Sequence, residues 1–166
     1  MKREADIARG LAERGETLAV VEASAGGLAC SRLTAIPGSS RWFLGGVVAY
    51  SARAKERWLG LGPEALPGTG VVSPEAAVAL ARAVRQALGA TWGAAETGIA
   101  GPQVGRRSSK PTGLGYVAVV GEAGGAPVER VAEVATGLDD RGANQAAFAE
   151  ALLALLAQCV SGTHGV

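Results

Sequence analysis

Ile7 and Leu11 stand four apart among alanines in residues 4–14, which predicts a short amphipathic helix closed by Gly15. Thr17-Leu-Ala-Val-Val21 is short, β-branched and unbroken, the pattern of a buried strand. Glu22-Ala-Ser-Ala-Gly-Gly27 then opens a second helix through about Ala35, stopped by Pro37-Gly38. Leu44 to Tyr50 reads as a strand, and Arg53 to about Leu59 as a short helical run. Ser73-Pro74-Glu75 supplies a cap, a proline at the first helical position and an acid in the first turn, starting a helix that runs to Gly89. Trp92 to Thr97 is a strand entering the loop Gly98-Ile-Ala-Gly-Pro102. Leu114–Val120 and Val128–Ala135, separated by Gly121-Glu-Ala-Gly-Gly125, predict a hairpin. A last helix, about Arg141 to Cys159, carries Phe148, Leu152, Leu155 and Leu156 on one face. Strands interleaved with helices, plus one hairpin, predict an α/β fold: a single-domain three-layer α/β/α sandwich on a mixed sheet. The expected domain covers 1–160, with 161–166 a flexible tail.

Composition narrows what such a domain can do. Sixteen Lys and Arg against fifteen Asp and Glu leave a net charge of +1, and aromatics make up 4% of the 166 residues. Neither the electrostatic footprint of a nucleic-acid binder nor a stacking platform is present, so no nucleic acid is expected as partner. No apolar run reaches the roughly 18 residues of a membrane span, and Met1-Lys-Arg-Glu-Ala-Asp6 leads into a helix rather than a signal-peptide core. A cytoplasmic protein without a membrane partner is the expectation. Cys30 and Cys159 read as reduced core thiols.

The single histidine, His164, sits in the terminal segment Ser161-Gly-Thr-His-Gly-Val166. Ser-His-Asp and Cys-His catalysis need an imidazole fixed beside the nucleophile, and zinc sites built on His and Cys need more ligands. A covalent hydrolase on this chain has to activate its nucleophile with a lysine or a carboxylate.

Three segments combine small residues with polar groups. The turn Glu22–Gly27 hands a strand to a helix N-terminus, where free N–H groups favour an anion or oxyanion, although tight strand-helix packing explains it as well. Pro37-Gly-Ser-Ser40 precedes a strand, and Tyr50-Ser-Ala-Arg-Ala-Lys55 follows it, an arrangement read as returning Lys55 towards Ser40. From spacing alone, a solvated surface position is the commoner reading of Lys55. Glu96-Thr-Gly-Ile-Ala-Gly-Pro102 ends another strand, on the side where ligands of α/β sheets gather. Arg106-Arg-Ser-Ser-Lys110 and Asp139-Asp-Arg141 offer cations, and neither standard nucleotide-binding glycine fingerprint occurs.

As an ordered set, Glu22-x-x-x-Gly-Gly27, Pro37-Gly-Ser-Ser40, Gly46-Val-Val-Ala-Tyr-Ser51, Ala54-Lys55, Gly70-Val-Val-Ser73, Thr97-Gly-Ile-Ala-Gly-Pro102 and Lys110-Pro-x-Gly113 resembles the CinA C-terminal domain family over residues 5–158. The resemblance implies hydrolysis of nicotinamide mononucleotide to nicotinic acid mononucleotide and ammonia by a serine-lysine mechanism, with no cofactor and no metal. Carried onto this chain, Ser40 would be the nucleophile, Lys55 its base, Tyr50 and Thr97 supporting polar groups, and Arg141 a phosphate-binding cation. Ser24, Gly26, Gly27, Gly98 and Gly101 would complete the substrate site. A pyridine nucleotide and further copies of the chain, as a homo-oligomer, are the expected partners. Ser40, Tyr50, Lys55 and Thr97 are expected to line one pocket beside the Glu22–Gly27 turn. A lysine base at neutral pH needs a shift from about 10.4 to about 7.4, roughly 4 kcal/mol against the charged form.

The sequence departs from the family pattern in places. Where the family usually has Ser, a small residue and Thr before Gly-Gly, this chain has Ala23, Ser24 and Ala25. The stretch between Gly101 and Lys110 is more basic, and Gln145 lies near the position of a second arginine often found in the last helix. An impaired nucleotide-binding or regulatory module of the same fold is the alternative reading.

Overall fold

The computed structural model describes residues 2–66, 70–103 and 108–161, so His164, Arg106, Arg107 and most of the expected tail lie outside the described residues. Its strands are β1 (Leu18–Glu22), β2 (Phe43–Val48), β3 (Trp92–Gly98), β4 (Leu114–Ala123) and β5 (Ala126–Ala135). They form one sheet in the order β2-β1-β3-β4-β5. β1 runs parallel to both β2 and β3, while β4 and β5 continue antiparallel. The helices are α1 (Lys2–Arg14), α2 (Leu28–Thr34), α3 (Ala52–Leu59), α4 (Pro74–Leu88) and α5 (Arg141–Val160).

Strand alternation divides the core into two layers. Leu18 and Val20 of β1 join Ile7, Leu11, Leu33, Phe148 and Leu152 under α1, α2 and α5. Ala19 and Val21 point the other way and pack with Ala77, Leu80 and Val84 of α4. The result is the three-layer α/β/α sandwich on a mixed sheet. α5 is long and apolar enough to cross a bilayer by length and composition, but Phe148, Leu152, Leu153 and Leu156 are sealed against the sheet layer.

Several element boundaries differ from expectation for identifiable reasons. Residues 23–27 form a turn rather than helix, with Gly26 and Gly27 at φ of 74° and 99°, so α2 begins only at Leu28. β4 and β5 are longer than the hydrophobic runs suggested. Gly121 lies inside β4, because the ring of Trp92 occupies the space a side chain there would need, and only Gly124-Gly125, at φ of 58° and 81°, make the turn. α4 behaves as expected: Ser73 accepts from the amide of Ala76 at 3.1 Å and Gly89 closes the helix in the left-handed region.

Candidate active site

The carboxyl ends of β1 and β3 open into a cleft of about 890 Å³, the place where parallel sheets collect ligands. Ala23, Ser24, Tyr50, Lys55, Thr97, the 98–102 loop and Arg141 line it, with the segment 70–72 and Lys110 closing one side.

Lys55 is the buried residue of α3, 4% exposed. Ser51 caps the helix by accepting from Ala54, which turns Lys55, one turn later, inward. Its Nζ donates to the carbonyls of Ala49 at 2.8 Å and Tyr50 at 3.3 Å. Burial pulls its pKa below the ordinary lysine value, with the charge of Glu96 opposing the shift. The surface reading of this lysine is therefore wrong: its neighbours are the backbone and a buried acid.

Glu96 is fully buried, and one oxygen accepts from the amides of Ala23, Ser24 and Ala25 at 3.1, 3.0 and 2.9 Å. The Ser24 hydroxyl donates to the other oxygen. Burial pushes the Glu96 carboxyl above the usual carboxylate range against the hydrogen bonds that favour its ionised form. Glu22, its register partner on β1, accepts from the amides of Gly27, Ala29 and Cys30 at the start of α2. The turn amides expected to hold an anion are thus taken up by these two acids, apart from that of Gly26. Neither Gly26 nor Gly27 lines the cleft.

The far wall is tied together by side chains. Thr97 Oγ1 donates to the Val71 carbonyl at 2.7 Å, and Lys110 Nζ donates to that of Val72. Arg141 bridges the mouth, donating to the Gly101 carbonyl at 3.0 Å and to the Tyr50 hydroxyl at 3.1 Å. Asn144 Nδ2 donates to the Ala100 carbonyl at 3.0 Å, and Gln145 Nε2 to the Ser24 carbonyl at 2.8 Å. Gly98 must lack a side chain, since a Cβ would lie 2.6 Å from the Phe148 ring.

The cleft brings together Ser24, Tyr50, Lys55, Thr97, Gly98, Gly101 and Arg141. Ser40 is not among them. It sits on an exposed helical turn, Ser39–Arg41, before β2, whereas Lys55 follows β2. The strand between them separates its two ends by about 20 Å at roughly 3.3 Å per residue. The expectation that the flanks of this strand return Lys55 to Ser40 of the same chain fails, because a strand cannot fold back on itself. Glu96, Asn144 and Gln145 were missed as site-building residues. The available signal for Glu96 was a lone carboxylate inside the otherwise small and apolar strand Trp92-Gly-Ala-Ala-Glu-Thr-Gly98.

Comparison with known proteins supplies the family. Residues 1–160 match the family model of the CinA C-terminal domain. The chain belongs to the CinA C-terminal domain family. A CinA-like protein of Anaeromyxobacter dehalogenans is 46% identical over 138 residues, 83% of this chain and 33% of that protein. A CinA-like protein of a Synechococcus strain is 47% identical over 120 residues, 72% of this chain and 28% of that one. The chain thus spans about a quarter to a third of the length of the curated relatives it matches. The structure of a competence/damage-inducible protein from Agrobacterium tumefaciens superposes with a TM-score of 0.83 at 31% identity, covering 93% of this chain and 92% of that one. Such CinA structures share its α/β architecture from end to end.

Proposed function

We propose that this CinA domain hydrolyses the carboxamide of nicotinamide mononucleotide, giving nicotinic acid mononucleotide and ammonia, with Lys55 as the proton carrier and Ser40 of a second copy as the nucleophile, since the length of β2 holds the two apart within one chain. The observation that carries the reading is the desolvated amine of Lys55 on the wall of the cleft. A neutral lysine amine has two N–H groups, matched here by the carbonyls of Ala49 and Tyr50, which leaves its lone pair to accept a proton. Burial in this position is what makes the neutral form accessible.

In the proposed reaction, Lys55 takes the Ser40 proton as the serine oxygen attacks the carboxamide carbon. Among the described residues none accepts from the amides of Ala100 and Gly101, which makes the 98–101 loop the candidate oxyanion holder. The ammonium of Lys55 passes its proton to the departing nitrogen, the C–N bond breaks and ammonia leaves. Water then attacks the acyl-serine ester and gives a proton to Lys55. Collapse frees the nucleotide acid, and the proton returns to Ser40. Arg141 at the cleft mouth is the cation assigned to the substrate phosphate.

The second reading, a nucleotide-binding module without turnover, is favoured by Ala23, which brings no hydroxyl to the cleft, and by the position of Ser40 outside the cleft of its own chain. An ammonia-coupled assay with nicotinamide mononucleotide separates the two. Release that is lost in Ser40→Ala and in Lys55→Met supports the hydrolase. Calorimetric binding of the mononucleotide with no ammonia from the unsubstituted protein supports the module.

A further inference from the structure

Two hydroxyls of the cleft wall have different partners. Thr97 Oγ1 donates to the backbone carbonyl of Val71, too weak a base to take its proton. Ser24 Oγ donates to a carboxylate oxygen, Oε1 of Glu96. The two oxygens of that carboxylate are unequal. Oε2 accepts the amides of Ala23, Ser24 and Ala25, whereas Oε1 accepts only the Ser24 hydroxyl among the described residues. Oε1 is therefore the oxygen with a lone pair left for a proton, and burial strengthens the hold of this carboxyl on one. Ser24 lines the cleft although only 5% exposed, and with its proton directed at Glu96 the lone pairs of its oxygen point away from the acid.

We infer that Ser24 and Glu96 form a second nucleophile and base pair in the cleft, complete within one chain, that hydrolyses esters of short-chain carboxylic acids. A serine in contact with its base in the same chain is what Ser40 and Lys55 lack. Composition left a carboxylate as one of two bases open to a covalent hydrolase, and Glu96 is the carboxylate that the fold sets against a cleft serine. The loop with free amides is fixed beside it. Asn144 and Gln145, consecutive on α5, hold the carbonyls of Ala100 and Ser24 at 3.0 and 2.8 Å, and the amides of Ala100 and Gly101 are the donors for the oxyanion. Ala23, Gly98 and Ala100 carry little or nothing beyond a methyl group, which leaves space for a short acyl chain. A carboxylate is a weaker base than a lysine amine, so the pair suits an acyl group more reactive than an amide, and an ester is one. In the reaction, Glu96 Oε1 takes the hydroxyl proton as Ser24 Oγ bonds to the acyl carbon. The ester C–O bond breaks, and the proton passes to the departing oxygen, which leaves as the alcohol. Water then attacks the acyl-serine, its proton goes to Glu96 and on to Ser24 Oγ, and the carboxylic acid is released.

The test uses the whole chain and p-nitrophenyl acetate. The unsubstituted protein should release p-nitrophenol above the buffer rate, and Ser24→Ala and Glu96→Gln should each lower that release about 10²-fold or more. Acid quenching during turnover should trap an acetyl group on Ser24, located by peptide mass spectrometry. A fluorophosphonate in place of the ester should label the same oxygen irreversibly, a readout that needs no substitution at the site and stands even where Ser24→Ala loses its fold. Acetyl or phosphonyl groups found on Ser40 or on lysines but not on Ser24 overturn the inference, as does a Ser24→Ala protein that hydrolyses the ester at the unsubstituted rate. The inference goes beyond the amidohydrolase reading and is measured on a different substrate, so each can fail alone.

Discussion

Glu22 and Glu96 are register partners on adjacent parallel strands, both fully buried, and each accepts three backbone amides. Their surroundings differ in one respect. Glu22 meets the start of α2, whose open N–H groups and dipole it satisfies and whose Cys30 thiol it helps to keep protonated, away from the cleft, so its task ends with the fold. Glu96 also receives the hydroxyl of Ser24 and acts electrostatically on the amine of Lys55. A buried acid that faces a core helix holds a shape, whereas one that acts on a lysine of the cleft wall also sets when that lysine gives up its proton.

The largest effect expected on this contrast comes from Lys55→Met, which keeps the buried stem and removes the amine. Ammonia release from nicotinamide mononucleotide should fall about 10²- to 10⁴-fold, the usual worth of a positioned acid-base group, with little change in melting temperature. Unchanged release would make Glu96 as purely structural as Glu22. Next, Glu22→Ala strands the amides of Gly27, Ala29 and Cys30. At about 1–3 kcal/mol for each buried donor left unpaired, urea unfolding should show a loss of about 3 kcal/mol or more.

The pH dependence is the finer instrument. Lys55 acts as base when neutral, so the rate should rise with pH through its folded pKa, below the ordinary lysine value of about 10.4. Because the unfolded lysine holds its proton to higher pH, the folded state binds fewer protons between the two values. This group's contribution to stability therefore also rises with pH across that window. Glu96→Gln keeps an acceptor for the three amides but removes the negative charge that favours the ammonium, so the rising limb should move to lower pH. Glu22→Gln should leave the limb in place, and equal shifts in both would erase the distinction. The smallest effect is expected of Gln145→Ala, which frees the Ser24 carbonyl. A loss of about 1 kcal/mol in stability, with KM rising more than kcat falls, would mark it as a positioning residue.

Much of this fold could be read from periodicity. The alternation of Leu18-Ala-Val-Val21 and the cap at Ser73 depend on neighbours in sequence, whereas the expectation that Ser40, Tyr50, Lys55 and Thr97 line one pocket beside the 22–27 turn came from the family resemblance, and the cleft holds the last three. What escaped reading depends on partners distant in sequence. Nothing near Glu96 in the chain shows that its carboxylate will receive the amides of residues 23–25, and nothing near Gly121 announces the Trp92 ring. The placement of Ser40 beside Lys55 of the same chain failed for a simpler reason: a motif lists residues in order and carries no distance, while the intervening strand has a fixed length.

The first turn of α5 reaches back to both cleft loops, with Arg141 on Gly101, Asn144 on Ala100 and Gln145 on Ser24. During synthesis, then, the glycine-rich turn near the start of the chain has to wait for more than a hundred later residues before its anchor emerges. Loss of the closing helix would be expected to disarm the pocket at its mouth even in a chain that kept the sheet.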